Sequence, residues 1–180
     1  MSSWLAATID EFRRYKRLAD SAIAQVDEAG FFGAPDAQTN SVAIIVKHIA
    51  GNLRSRWTDF LTTDGEKPDR DRDREFELTP NDTREGLLAR WEAGWSLAFD
   101  TLSALTEADF ARTVYVRAQA HTVPQAIQRQ LAHAAYHVGQ IVLLARHYAG
   151  DRWTTLTIPR GASAAVNERL MREPGSRVHH

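Results

Sequence analysis

Apolar residues recur along most of the chain at the three- and four-residue spacing of amphipathic helices. The pattern predicts four long helices, from Trp4 to Glu28, from about Thr39 to Leu61, from Thr79 to about Leu102, and from His121 to Tyr148. Each predicted helix has one apolar side, and four such helices can bury a shared core as a four-helix bundle. The predicted fold class is therefore all-α.

Local signals mark the predicted helix ends. Thr39–Ser41 offers N-cap residues for the second helix, and Thr79–Asp82 places a capping residue before a proline at the start of the third. His121–Gln125 opens the fourth helix in a similar way, and Gly150 stops it. Gly30 begins a stretch of glycine and proline that is expected to end the first helix.

Two connections between the helices are long. Asp64–Leu78 and Thr106–His121 each hold about 15 residues, whereas bundle helices are usually joined by about two to eight. A segment of that length can extend along the whole bundle, so either link could place consecutive helices parallel. Thr113–Arg117 alternates as a strand does, and a short extended piece is predicted there.

The end of the chain is predicted to add one short element. A helix from about Ala164 to Met171 follows Ser163, its expected N-cap. Residues 1–172 are expected to form a single domain, and residues 173–180 a disordered tail.

Composition narrows the classes of function. The net charge is −1, so no positive excess draws the chain to nucleic acid or to an anionic membrane surface. The longest apolar runs, Val42–Val46 and Ile141–Ala145, are too short to span a bilayer. The chain has no cysteine, which excludes disulfides and thiolate metal sites. A soluble cytoplasmic protein with a small-molecule substrate is expected.

Three histidines are candidate metal ligands. His133 and His137 lie four residues apart on one face of the fourth predicted helix, a spacing at which two imidazoles can share one divalent ion. No charged residue occurs from Gln130 to Ala145, so this helix is expected to be buried on most sides. His48 lies in an apolar helix, and Gly51 one turn on leaves room for close approach of another group. The plainer interpretation, ordinary helix histidines, stays open.

Other residues are candidates for the surroundings of this site. Asn52 and Gln140 lie about one turn beyond a candidate ligand and could accept hydrogen bonds from the outer ring nitrogens. Trp57 and Tyr136 are candidate pocket walls. Since only neutral imidazole binds metal, occupancy is expected to fall as the pH drops through about 6.5.

These features resemble the DinB/YfiT-like superfamily of proposed metalloenzymes, in one of its uncharacterised subfamilies. The matching stretches are His48, the HxxxH of His133–His137, Gly65–Pro68 with Arg72–Glu77, Arg129–Ile141, and Trp153 with the IPRG of Ile158–Gly161. The resemblance implies a bundle in up-down-down-up order and a divalent ion on the three histidines. It also implies a homodimer. Three imidazoles do not identify the metal: zinc or nickel is expected first, with iron, copper or manganese as alternatives.

The resemblance leaves the activity open between classes. Characterised relatives include thiol-dependent transferases, so the first hypothesis is a metal-dependent enzyme that transfers a low-molecular-weight thiol to a small molecule. The alternatives are a metal-dependent hydrolase and a stress-associated metal-binding protein without turnover. An enzyme needs a pocket that reaches the metal, whereas a binding protein can bury it.

The link Asp64–Glu77 has two interpretations. It contains seven acids and four bases, a composition typical of a solvated segment. The resemblance suggests instead that some of Arg70, Arg72, Arg74 and Glu75 fold back onto the bundle. A salt-bridged brace is preferred there over an arginine-lined rim for an anionic substrate, and Arg160 invites the same two interpretations.

Overall fold

The computed structural model describes residues 2–173, and it is an all-α bundle, as predicted, with the addition of one small hairpin. Its helices are α1 (Ser3–Ile23), α2 (Glu28–Phe32), α3 (Val42–Trp57), α4 (Arg84–Ala104), α5 (Val123–Ala149) and α6 (Ser163–Arg172). Its strands are β1 (Thr113–Val116) and β2 (Gln119–Thr122). Most of the predicted disordered tail, residues 174–180, lies outside the described residues.

Helices α3 and α4 run parallel, which the long link between them was predicted to allow. A Cβ on Gly94 of α4 would lie 3.2 Å from the Cβ of Leu53. Nearer the C-terminal end of both helices, the Thr101 hydroxyl donates to the carbonyl of Trp57 at 3.3 Å. Positions late in α3 therefore lie beside positions late in α4.

The remaining helices complete an up-down-down-up order. Lys16 of α1 contacts Glu92 of α4, and Asp20 contacts Trp91. Residue numbers therefore increase along α1 as they decrease along α4, so the two helices are antiparallel. The end of α5 packs against the segment after α1, where Tyr148 contacts Gly30. Helix α5 therefore runs with α1 and against α3.

The core lies between the four long helices and is rich in aromatic rings. Phe12 of α1 contacts both Trp57 of α3 and Trp95 of α4, with ring centroids 6.4 and 6.2 Å apart. All three side chains are almost completely buried. No described helix is long and apolar enough to cross a membrane.

Several predicted boundaries were wrong. Helix α1 ends at Ile23, and α2 starts separately because the Asp27 carboxylate caps it by accepting from the Gly30 N–H. Helix α4 begins after Thr83, its N-cap, because Asp82 holds the preceding segment in a turn by accepting from Thr79.

Two further expectations about helices also failed. Ala162 rather than Ser163 is the N-cap of α6, which has no side-chain cap. Helix α5 is not buried on most sides, since Tyr136 and Leu143 are 65% and 69% exposed. The lack of charged residues in this part of α5 therefore does not mean that its outward-facing side is buried.

The predicted extended piece is one half of a hairpin. Strand β1 pairs antiparallel with β2, and the turn residues Arg117 and Ala118 both have positive φ, 54° and 59°. The carboxylate of Asp64 accepts from the backbone N–H groups of these two residues at 2.8 and 2.7 Å. The link after α3 is thereby fastened to the link after α4.

Candidate metal centre

The structure brings His48, His133 and His137 together where α3 faces α5. One ring nitrogen from each lies within 4.8 Å of the other two. Nε2 of His48 and Nε2 of His133 are only 3.2 Å apart. His48 and His137 are buried, and His133 is half-buried. These three residues form the candidate metal centre.

Two of the three imidazoles are oriented by an acceptor on their outer nitrogen. Nδ1 of His48 donates to Oε2 of Glu75 at 2.8 Å, and Nδ1 of His137 donates to Oε1 of Gln140 at 2.7 Å. Each bond leaves the Nε2 lone pair free to bind a cation. Nδ1 of His133 is buried and has no hydrogen-bond partner among the described residues.

Glu75 reaches His48 from a 3₁₀ turn in the link between α3 and α4. Nε and Nη2 of Arg70 both donate to its carboxylate at 2.8 Å, and Nη1 donates to Glu66 at 3.0 Å. Burial opposes the ionisation of Glu75, but hydrogen bonds from His48 and Arg70 outweigh it and lower its pKa. Glu75 is therefore an anion at neutral pH.

Gly51 makes this approach sterically feasible. A Cβ at this position of α3 would lie 2.8 Å from Cδ of Glu75 and closer still to Oε1. Any side chain here would push the carboxylate away from His48. The group expected from sequence to approach Gly51 is thus Glu75.

The electrostatics favour neutral imidazoles. Burial lowers the pKa of His133 to about 3, helped by repulsion from His137, His48, Arg56 and Arg70. Burial also lowers the pKa of His137. His133 therefore keeps a free lone pair well below the pH of 6.5 at which metal loss was expected, and protonation of His137 is also disfavoured.

The histidines open onto a cavity of about 430 Å³. Its lining includes all three histidines, Asn52, Gln130, Tyr136, Gln140, Phe76 and the arginines Arg56, Arg70, Arg72, Arg117 and Arg129. No Asp or Glu is part of this lining among the described residues. A ligand can therefore reach the candidate metal centre from a cavity with a positive wall.

The remaining predicted residues divide between this cavity and other parts of the fold. Asn52, Tyr136 and Gln140 line the cavity, although only Gln140 contacts a histidine as an outer acceptor. Trp57 is not a pocket wall: it faces the core, 1% exposed, because it packs between Phe12 and Phe60. Arg160 is exposed and does not line the cavity.

Sequence reasoning missed three functional candidates. Glu75 appeared only as one of several residues of a charged link, and Arg56 and Gln130 were given no role. Arg56 follows His48 by two steps of four residues along α3, a spacing that keeps it within about a quarter turn of His48 and could have identified it. Gln130 precedes His133 by three residues and lies on its face of α5 in the same way.

The comparisons with known proteins identify a family without a function. The model of a family described as "Protein of unknown function (DUF1572)" matches residues 1–162. No curated protein and no solved structure matches the chain.

Proposed function

The chain belongs to the DUF1572 family of proteins of unknown function, and we propose that it is a metal-dependent enzyme whose divalent ion is held by His48, His133 and His137. The order of the helices and the position of the HxxxH pair also support membership of the DinB/YfiT-like superfamily. The fold and the histidine cluster are the grounds for this proposal.

The donor set suits a divalent transition metal. Outer hydrogen bonds direct the Nε2 lone pairs of His48 and His137 to a common space, which His133 also faces. Three imidazoles suit zinc, nickel, iron or copper, and suit manganese least because it prefers oxygen ligands. Zinc or nickel is the ion proposed. When bound, the ion would supply a positive charge that lowers the pKa of a thiol or water beside it.

One observation carries the enzyme proposal: the three histidines lie on the wall of an open cavity of about 430 Å³. Structural metal sites are closed by four protein ligands, whereas catalytic sites keep a position for substrate. A cavity of this volume is large enough for a small organic molecule.

Thiol S-transfer is the reaction that the lining supports best. In such a transfer the thiol gives up its proton to solvent and its sulfur forms a bond to an electrophilic carbon, while the bond from that carbon to its leaving group breaks and the leaving group departs with the electron pair. The thiol must be a diffusible one, because the chain has no cysteine. A thiol ionises far more readily than water and does not depend on a strong general base.

A hydrolase is the second candidate, and it is less well supported. A side chain that deprotonates water would have to lie near the candidate metal centre, and a further histidine or a carboxylate is the usual choice. Glu75 is the carboxylate that contacts them, but its oxygens are already bound by His48 and Arg70. A protein that binds metal without turnover would not need the open cavity.

The proposal is tested with untagged, metal-loaded protein. Elemental analysis identifies the ion, and the protein is then incubated with bacillithiol, mycothiol or glutathione together with a reactive halide or epoxide. Conjugation should occur with one thiol, disappear in His133→Ala and persist in His147→Ala, whose histidine is exposed and outside the cavity. Absence of conjugation with all three thiols by a metal-loaded protein would reject S-transfer.

A further inference from the structure

Arg56 is a buried cation that has no partner among the described residues. It is 8% exposed, and its buried Nη1 makes no hydrogen bond or ion pair with any other residue of 2–173. The side chain of its neighbour Arg70 is also buried, 3% exposed, but Glu66 and Glu75 neutralise it. The described residues therefore neutralise one buried arginine of this cavity and leave the other without a counter-ion.

Such an arrangement is costly unless a ligand completes it. A buried charge without a counter-ion destabilises the folded state. Burial together with Arg70 and Arg129 lowers the pKa of Arg56 to about 10, so it stays protonated at neutral pH. The local excess of positive charge would attract an anion.

Nearby acids do not meet this need. Glu66 lies close enough to influence Arg56, but its carboxylate accepts from Arg70 and Arg117. Arg129, across the cavity on α5, is exposed and has no ion-pair partner among residues 2–173. This end of the cavity keeps net positive charge.

A second unused donor lies beside the same cavity. Nε2 of Gln130 is buried and unpartnered in the described chain. Buried amide groups nearly always have a hydrogen-bond partner, so an unpaired donor at a cavity wall indicates a site for an acceptor. Arg56 and Gln130 together present the fork of a guanidinium and one amide N–H group.

The backbone fixes where these donors lie relative to the histidines. Arg56 is eight residues beyond His48, about 12 Å along α3, and Gln130 is three residues before His133 on the antiparallel α5. Because α3 and α5 are antiparallel, both residues are displaced from the histidines in the same direction, towards the C-terminal end of α3 and the N-terminal end of α5. The guanidinium itself packs over Gly65, whose absent Cβ would lie 2.6 Å from Nη1.

We propose that Arg56 and Gln130 form an anion-binding subsite for a carboxylate or phosphate group of the substrate. The inference rests on the proposed function for the role of the histidine end of the cavity. The subsite would restrict the class of substrate to organic anions whose acidic group is several bonds away from the reacting atom. Oxyanions of both kinds match the two parallel N–H groups of a guanidinium.

The test measures anion binding separately from turnover. Inorganic phosphate and butyrate are each titrated by calorimetry into the wild-type protein, Arg56→Gln and Arg54→Gln, the last being an exposed arginine of α3 outside this cavity. Arg56→Gln should weaken binding of the preferred anion about tenfold or more, and Arg54→Gln should not change it. The preferred probe identifies the substrate group as a phosphate or a carboxylate.

A stability readout separates this role from a structural one. If Arg56 braced the fold, Arg56→Gln would lower the melting temperature without added anion. The proposal expects an unchanged or higher melting temperature, because the variant removes an unpaired buried charge. Equal anion binding by Arg56→Gln and wild type, or no binding of either probe, would overturn it.

The subsite and the proposed function can fail independently. Anion binding should persist in His133→Ala, because it does not need the metal. Conjugation that is indifferent to Arg56→Gln and to the charge of the electrophile would reject the subsite and keep the enzyme. Arg56-dependent binding without any turnover would keep the subsite and reject the enzyme.

Discussion

Nδ1 of His48 donates a hydrogen bond to Oε2 of Glu75, 2.8 Å away, across 27 residues of sequence. Both side chains are buried, and a bidentate pair with Arg70 fixes the carboxylate. The link between α3 and α4 therefore takes part in the candidate metal centre. An acceptor of this kind holds a metal-binding imidazole in one tautomer and raises its basicity.

Glu75→Gln should weaken metal binding about 10- to 100-fold, because the imidazole of His48 loses its anionic acceptor. Competition with a chelator of known affinity measures the effect. The matched control is Asp73→Asn, which removes an almost fully exposed carboxylate of the same link. Equal affinities in the two variants would show that Glu75 does not support the site.

The double variant His133→Ala, His137→Ala should lose metal binding and keep its helical content. The long helices bury their core without contribution from the ion, so folding should not depend on it. Elemental analysis and circular dichroism at 25 °C are the measurements. An unfolded double variant would mean that the histidines are structural.

Gly51→Ala should lower the affinity for metal, whereas Gly139→Ala should only raise the thermal stability. Both replace a glycine inside a helix, which by itself stabilises by up to about 1 kcal/mol. At Gly139 no described residue apart from the chain neighbours and the backbone of the same helix lies within 4 Å of the new Cβ, so the gain should appear in thermal unfolding. At Gly51 the Cβ displaces Glu75, so metal affinity should fall. Unchanged affinity in Gly51→Ala would contradict the role given to this contact.

Asp82→Asn should destabilise the protein at pH 7 by about 1–3 kcal/mol. Burial opposes ionisation of Asp82, but hydrogen bonds from Lys47, Thr79 and Arg90 outweigh it and hold its pKa well below the usual value. A carboxylate with a lowered pKa stabilises the fold above the unfolded pKa, near ~3.9, and less as the pH falls further.

The difference between wild type and Asp82→Asn should therefore shrink below about pH 4. Chemical denaturation at several pH values measures it, with the exposed Asp100→Asn as control. A difference that is constant from pH 7 to pH 3 would show that shape, not charge, accounts for the loss.

The parts of the molecule that follow a local rule could be predicted from the sequence. Helix α5 begins at a Thr122 capping box with Gln125 and stops at Gly150, where φ is positive. The four-residue spacing of His133 and His137 places them on one face, and the long link after α3 allows parallel helices. Each of these follows from neighbours in sequence.

The rest depends on contacts between distant segments. Nothing local distinguishes Glu75 from the other six acids of its link, since its role depends on the space above Gly51. Trp57 follows His48 in α3 but rotates into the core, where two phenylalanines meet it. Strand β2 has no alternating pattern and exists because β1 pairs with it.

The helices form the core, whereas the link between α3 and α4 supplies a side chain of the candidate metal centre. This separation affects how proteins of this fold can diverge in function. Glu75, which orients His48, lies in the link outside the long helices, and this link contributes little to the aromatic core. Replacements in that segment could retune the reactivity of a bound metal while Phe12, Trp57 and Trp95 kept the scaffold unchanged. Stability and chemistry can thus evolve at separate sites of one bundle.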